Sequence, residues 1–142
     1  MATSAGADDV LLYTSDWVAK ARELTSGGVD VVYDSVGSTL DQSLTALRTG
    51  GHAVFFGMAG GDPLPIDPRR LMDESKSVTG GDLWNVLKSG EERASRAREL
   101  FQWVESGSLT VTISARFPLG EGAAAHAHLE GRASIGKVLL LP

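Results

Sequence analysis

The 142 residues carry 13 Lys and Arg against 18 Asp and Glu, a net charge of -5, with 42% hydrophobic residues and no cysteine. That balance argues against a nucleic-acid or anionic-membrane surface, and the missing thiols exclude disulfides, thiolate zinc sites and cysteine nucleophiles. No apolar run approaches a bilayer crossing, and the first nine residues lack the basic and apolar regions of a signal peptide, so a soluble, cytoplasmic, single-domain protein is expected.

Val10–Tyr13 reads as a short strand, after which Ser15 can cap a helix with Trp17, Val18, Ala21 and Leu24 on one face. Gly27-Gly28 ends that helix. Val29–Tyr33 is the best strand in the chain, apolar enough for a parallel strand covered on both faces. Beyond Asp34-Ser35-Val36-Gly37, Ser38 and Asp41 approximate a capping box for a second helix with Leu40, Leu44 and Leu47 as its stripe. Thr49-Gly50-Gly51 stops it, and Ala53–Phe56 is the next strand.

The Gly- and Pro-rich stretch from Gly57 to Pro68 predicts a surface loop, with Asp67-Pro68 as cap and first position of a short helix reaching Glu74. Ser77–Thr79 reads as a brief strand. The longest helix is predicted over Glu91–Ser106, with Ala94, Ala97, Leu100, Phe101 and Val104 inward and Gly107 as its stop. Leu109–Ile113 alternates like a strand with one wet face, and a short helix near Glu121–Leu129 precedes a last strand, Lys137–Leu141. Alternating strands and helices specify an α/β fold with parallel strands and helical crossovers.

In such sheets ligands lie beyond the carboxyl ends of the strands. Three exits here are built of small residues: Asp34–Gly37, Gly57–Gly61 and Thr79–Asp82. Together they suggest a crevice in which backbone approaches a flat or phosphorylated ligand. The one G-x-G-x-x-A match, Gly120 to Ala125, does not follow a firm strand and has too little chain after it for a dinucleotide fingerprint. His126 and His128 point about 200° apart on a helix and cannot chelate one ion together. Asp34-Ser35 lacks the context of a hydrolase nucleophile and is expected to hydrogen-bond its own turn. Asp62, Asp67, Asp73 and Glu74 read as a solvated acidic patch, and Trp84 and Trp103 as core or interface aromatics.

Gly28-Val-Asp-Val-Val-Tyr-Asp-Ser-Val-Gly37 carries a resemblance to a known family. So do Gly6-Ala-Asp-Asp-Val10 with Tyr13, Gly50-Gly51 before Val54–Gly57, Phe117-Pro-Leu119, Leu129-Glu-Gly-Arg132 and Gly136–Pro142. In order, they resemble the NADPH:quinone oxidoreductase branch of the zinc-independent medium-chain dehydrogenases/reductases. The resemblance aligns with the second part of a full-length member. It lacks the GroES-like catalytic domain and the first two Rossmann strands with their Gly-rich turn.

The resemblance implies a partial Rossmann-type, doubly wound, mostly parallel sheet over 1–108 and a segment over 109–142 returning to the catalytic domain. It implies NADPH as cofactor, no metal, and a quinone or enone substrate reduced by hydride transfer. Tyr13 would lie near the adenosine; Ser35, Val36 and Gly37 along the cofactor; Phe56, Gly57 and Met58 near the nicotinamide. Thr79 and Gly80 form the next exit, where many quinone reductases carry Thr-Arg-Pro instead, and Arg132 would approach the phosphates. No general acid is nominated, and the isolated chain is expected to be inactive. Dimerisation through the edge strand near Val78 is implied, and the isolated chain is expected to oligomerise, swap elements or rearrange Val10–Tyr13 onto the open edge of Val29–Tyr33. Two other readings are a non-catalytic module for assembly or weak nucleotide binding, and part of a polyketide synthase enoyl reductase.

Overall fold

The computed structural model describes residues 2–131 and 134–142. Two compact units divide the chain after Val86. In the first, helix α1 (Trp17–Leu24) precedes strand β1 (Val29–Asp34), helix α2 (Leu40–Ala46) and strand β2 (Leu47–Phe55). Helix α3 (Pro68–Asp73), strand β3 (Ser77–Gly80) and a four-residue helix α4 (Leu83–Val86) follow. The strands form a parallel sheet in the order β1-β2-β3. Leu40, Leu44, Leu47 and Ala53 form its buried core, with Val29, Val32, Phe55, Ile66, Leu71 and Val78 packed around them. Leu44 and Leu47 are 1% and 0% exposed, so truncating either to Ala costs about 2–5 kcal/mol.

Several boundaries differ from the sequence expectation for identifiable reasons. Val10–Tyr13 is not a strand: it has no sheet partner, and Ser15 closes a turn by donating its N–H and hydroxyl to the Leu12 carbonyl. Asp16, not Ser15, caps α1 by accepting from the Ala19 N–H at 3.0 Å. No side chain caps α2, because the carboxylate that holds its entrance is Asp34. The glycines at 50 and 51 do not stop a helix; they lie inside β2. There β2 advances from Leu47 to His52 while β1 advances only from Val29 to Val31, and the surplus bulges out. β1 is covered on one face only, since Val31 and Tyr33 on the other are 46% and 73% exposed. The Asp67-Pro68 expectation holds: Asp67 accepts from the Arg69 N–H at 2.9 Å, with Pro68 in the first turn.

Because α2 runs straight into β2, no glycine cap satisfies its last carbonyls. Cationic side chains do so instead. Arg22 donates to the Thr45 and Leu47 carbonyls and Lys76 to the Leu44 carbonyl at 2.8 Å, while Arg70 runs along the helix from the Asp41 carboxylate in the first turn to the Thr45 hydroxyl. Arg22 and Lys76 sit at the negative end of the helix dipole. The Lys76 side chain is 1% exposed and pairs with Glu74 at 2.5 Å, so Glu74 belongs to a structural ion pair rather than to a solvated patch. The hydrogen bond from Lys76 holds the Glu74 carboxyl below its ordinary range. Lys76→Met is expected to cost about 1–3 kcal/mol by orphaning the Leu44 carbonyl, read as a lowered urea midpoint. Glu74→Gln leaves the buried ammonium without its anion and lowers the midpoint further.

The second unit holds helix α5 (Gly90–Glu105), strand β4 (Ile113–Pro118), helix α6 (Gly122–Glu130) and strand β5 (Lys137–Leu141). β4 and β5 pair in parallel across the α6 crossover. The observed strand lies just beyond the predicted Leu109–Ile113, because this pairing selects Ile113, Ala115 and Phe117 as the inward residues. The apolar stripe of α5 is not buried: Leu100, Phe101 and Val104 are 49%, 64% and 40% exposed. Trp84 of the first unit and Trp103 are 76% and 45% exposed, so neither is a core residue. Among the described residues no helix is long and apolar enough to cross a membrane.

Candidate functional site

Parallel pairing brings the three small-residue exits to one edge. Asp34, Phe55 and Gly80 are register partners at the ends of β1, β2 and β3. Backbone hydrogen bonds then join the loops that leave them. Phe56 N–H donates to the Asp34 carbonyl, Ala59 N–H to Ser35, Gly60 N–H to Val36, and Gly81 N–H to Phe55, at 2.8–3.1 Å. Glycine is needed for this closeness: a Cβ on Gly57 would sit 2.9 Å from the Ser35 carbonyl oxygen, and one on Gly60 2.6 Å from a Val36 methyl.

Asp34 anchors the first loop. Its carboxylate is 3% exposed and accepts the Val36 and Gly37 N–H groups at 2.9 Å on one oxygen. The other oxygen accepts the Thr39 hydroxyl at 3.0 Å and the Ser43 hydroxyl at 2.7 Å. Burial pushes its pKa up, but the four hydrogen bonds outweigh burial and hold it below the ordinary value of 3.8. Asp34 therefore stays ionised and acts as a brace, as the Asp34-Ser35 motif suggested.

Beyond β2 and β3 opens a pocket of about 450 Å³, lined by Phe55 to Met58 from one exit and Gly81 to Trp84 from the other. The site residues named from sequence divide accordingly. Ser35, Val36, Gly37, Phe56, Gly57, Met58, Thr79 and Gly80 come together along this edge, with Phe56, Gly57 and Met58 in the pocket wall. Tyr13 lies apart from the pocket lining, 69% exposed, its ring edge-on to Trp17 at 5.8 Å. Arg132 lies outside the described residues.

Leu83 and Trp84 complete the pocket wall. The signal for them is Asp82 two residues before Trp84: its carboxylate accepts the Trp84 N–H at 3.0 Å and starts α4. In the second unit, His126 borders a small apolar pocket of about 100 Å³ with Ala125, Leu129, Val138 and Leu140, and His128 tilts against Phe117. Neither histidine joins a metal-binding group. Among the described residues no three of His, Cys, Asp and Glu come together to hold an ion.

Small residues bring backbone to the crevice, and among the described residues no Lys or Arg lines the pocket. In the sequence no Gly-rich pyrophosphate turn precedes a strand–helix junction.

The family model described as zinc-binding dehydrogenase matches residues 5–140. The chain is 39% identical to the 2-haloacrylate reductase of Burkholderia over 91% of its own length and 40% of that protein's. It superposes on a mycobacterial quinone oxidoreductase with a TM-score of 0.83 at 42% identity, covering 99% of this chain and 44% of that one. Escherichia coli quinone oxidoreductase, solved with NADPH, gives a TM-score of 0.87 at 36% identity over 99% of this chain and 45% of that one. The chain thus spans less than half the length of these relatives. Residues 5–140 match this family over nearly the whole chain, on a parallel sheet whose exits share one edge, so the chain belongs to the zinc-binding dehydrogenase family and corresponds to the C-terminal part of its quinone oxidoreductase relatives.

Proposed function

We propose that this chain supplies the nicotinamide-facing wall of an NADPH-dependent reductase that passes hydride to a quinone, enone or related carbonyl acceptor. The observation that carries the reading is the single edge formed by the three exits, closed by backbone hydrogen bonds beside an apolar pocket. NADPH, when bound, supplies the hydride, and the protein's part is orientation and exclusion of water. In this reading Ser35, Val36 and Gly37 run along the cofactor, while Phe56, Gly57 and Met58 flank the nicotinamide. Thr79 and Gly80 close the ring's far side. Tyr13 serves the adenosine end and Arg132 the phosphates.

Residues 1–108 belong to the nucleotide-binding half and 109–142 to a segment of the catalytic domain, with a homodimer joined through the β3 edge. Without a pyrophosphate-binding turn the 142 residues hold NADPH weakly and do not catalyse on their own.

The reading is tested by titrating the ¹⁵N-labelled chain with NADPH and following amide resonances. Shifts concentrated at Gly37, Gly57 and Gly80, with apparent affinity in the millimolar range, are expected. Millimolar NADPH that leaves those three amides unmoved overturns the assignment.

A further inference from the structure

The pocket at the β2 and β3 exits has a one-sided chemistry. Phe56, Met58 and Trp84 expose 52%, 58% and 76% of their surface at a strand edge where the fold directs ligands, so the wall offers flat and apolar area to a ring. Among the described lining residues one is ionisable, and it is an acid: Asp82. Among the described residues no Lys, Arg or His lines the pocket and no cation forms an ion pair with Asp82.

Its two oxygens accept from neutral donors, the Trp84 N–H at 3.0 Å and the Asn85 side-chain amide at 3.2 Å. Its backbone carbonyl accepts the Asn85 N–H as well. These bonds fix the carboxylate without cancelling its charge, and they fix Trp84 next to it.

We propose that Asp82 is a charge filter for this pocket: rings seated against Trp84 are uncharged, and rings bearing a carboxylate are turned away. This deepens the proposed function by assigning the class of acceptor, and it rests on that reading in taking this pocket as the acceptor's seat. A carboxylate a few ångströms from Asp82 in a half-solvated pocket meets a repulsion that salt screens. A 2-haloacrylate, named in the Burkholderia relative's activity, carries such a carboxylate. Asp82 here predicts that such an acid is a poor substrate for the protein containing this chain.

The test uses the complete ¹⁵N-labelled chain without cofactor and two probes of matched shape, neutral 2-naphthamide and anionic 2-naphthoate. Both are expected to shift the amides of Gly57, Gly81 and Trp84, with naphthamide binding about threefold to tenfold more tightly at low salt. Asp82→Asn keeps an acceptor for the Trp84 N–H, so it should equalise the two probes without disturbing the fold. Trp84→Ala should weaken both. Equal binding of the probes to the unaltered chain, or an unchanged ratio in Asp82→Asn, overturns the proposal. So does the absence of any shift at those three amides. No probe requires NADPH, so failure here is distinguishable from failure of the cofactor assignment, which is read at Gly37, Gly57 and Gly80 with NADPH alone.

Discussion

Asp34→Ala is expected to remove about 2–5 kcal/mol of stability from the first unit, a large share of the 5–15 kcal/mol that folded domains typically possess. The substitution leaves the Val36 and Gly37 N–H groups without their acceptor, and the Gly37 bond is buried. Each orphaned buried donor costs about 1–3 kcal/mol, whereas the Thr39 and Ser43 hydroxyls can rotate toward other partners. Asp34→Asn is milder, about 1–3 kcal/mol, because its carbonyl oxygen still accepts the two backbone N–H groups and its amide can donate to the hydroxyls.

The pair of variants also carries a pH signature. The folded pKa lies below the unfolded value of 3.8, so the carboxylate's contribution is complete above that value. It is lost as pH falls below 3.8 through the folded pKa, at up to about 1.4 kcal/mol per pH unit. Urea midpoints at pH 7 and near pH 3 should therefore converge between the unaltered chain and Asp34→Asn as the pH drops. A constant difference across that range would mean that the ionised form is not what the loop uses.

Much of this frame is legible in the residues themselves, and the exceptions share a cause. Strand and helix alternation, the Asp67-Pro68 start of α3, the extent of β5 and the three exits depend on local spacing, which sequence displays directly. Asp34 is legible as a brace because the turn it holds is two and three residues away.

Partners distant in sequence are not displayed that way. The cations that close α2 come from 23 to 32 residues away, and nothing at Arg22 or Lys76 marks them as helix caps. The Val10–Tyr13 run has the composition of a strand, but a strand exists only where another chain segment meets its hydrogen bonds. The stripe on α5 shows the same limit from the packing side: periodicity identifies an apolar face and says nothing about what covers it. At the candidate site the glycines are visible in sequence, whereas the conversion of Asp82-Leu83-Trp84 into a pocket wall depends on where β3 ends.

The closeness of those glycines leads to the second large effect. Gly37→Ala is expected to cost about 2–5 kcal/mol and to abolish NADPH-dependent shifts at the edge. Gly37 has φ +83°, a left-handed conformation that disfavours a side chain by about 1–2 kcal/mol. Its added Cβ would also lie 3.2 Å from the Met58 Cα and far inside contact distance of the Gly61 carbonyl oxygen. Both neighbours are backbone, so relief requires the β1 and β2 loops to separate, at the cost of overpacking, about 1–3 kcal/mol.

Gly61→Ala provides the comparison. Gly61 also has positive φ, +108°, but an added Cβ there meets nothing within 4 Å, so it incurs the conformational strain alone. The difference between the two urea midpoints isolates the steric part. It should be accompanied, in Gly37→Ala only, by loss of protection at the Ala59 and Gly60 amides, which donate to Ser35 and Val36. Equal costs for the two variants, with those amides still protected, would show that the loops are not held by this contact and that the edge tolerates a side chain where the cofactor would pass.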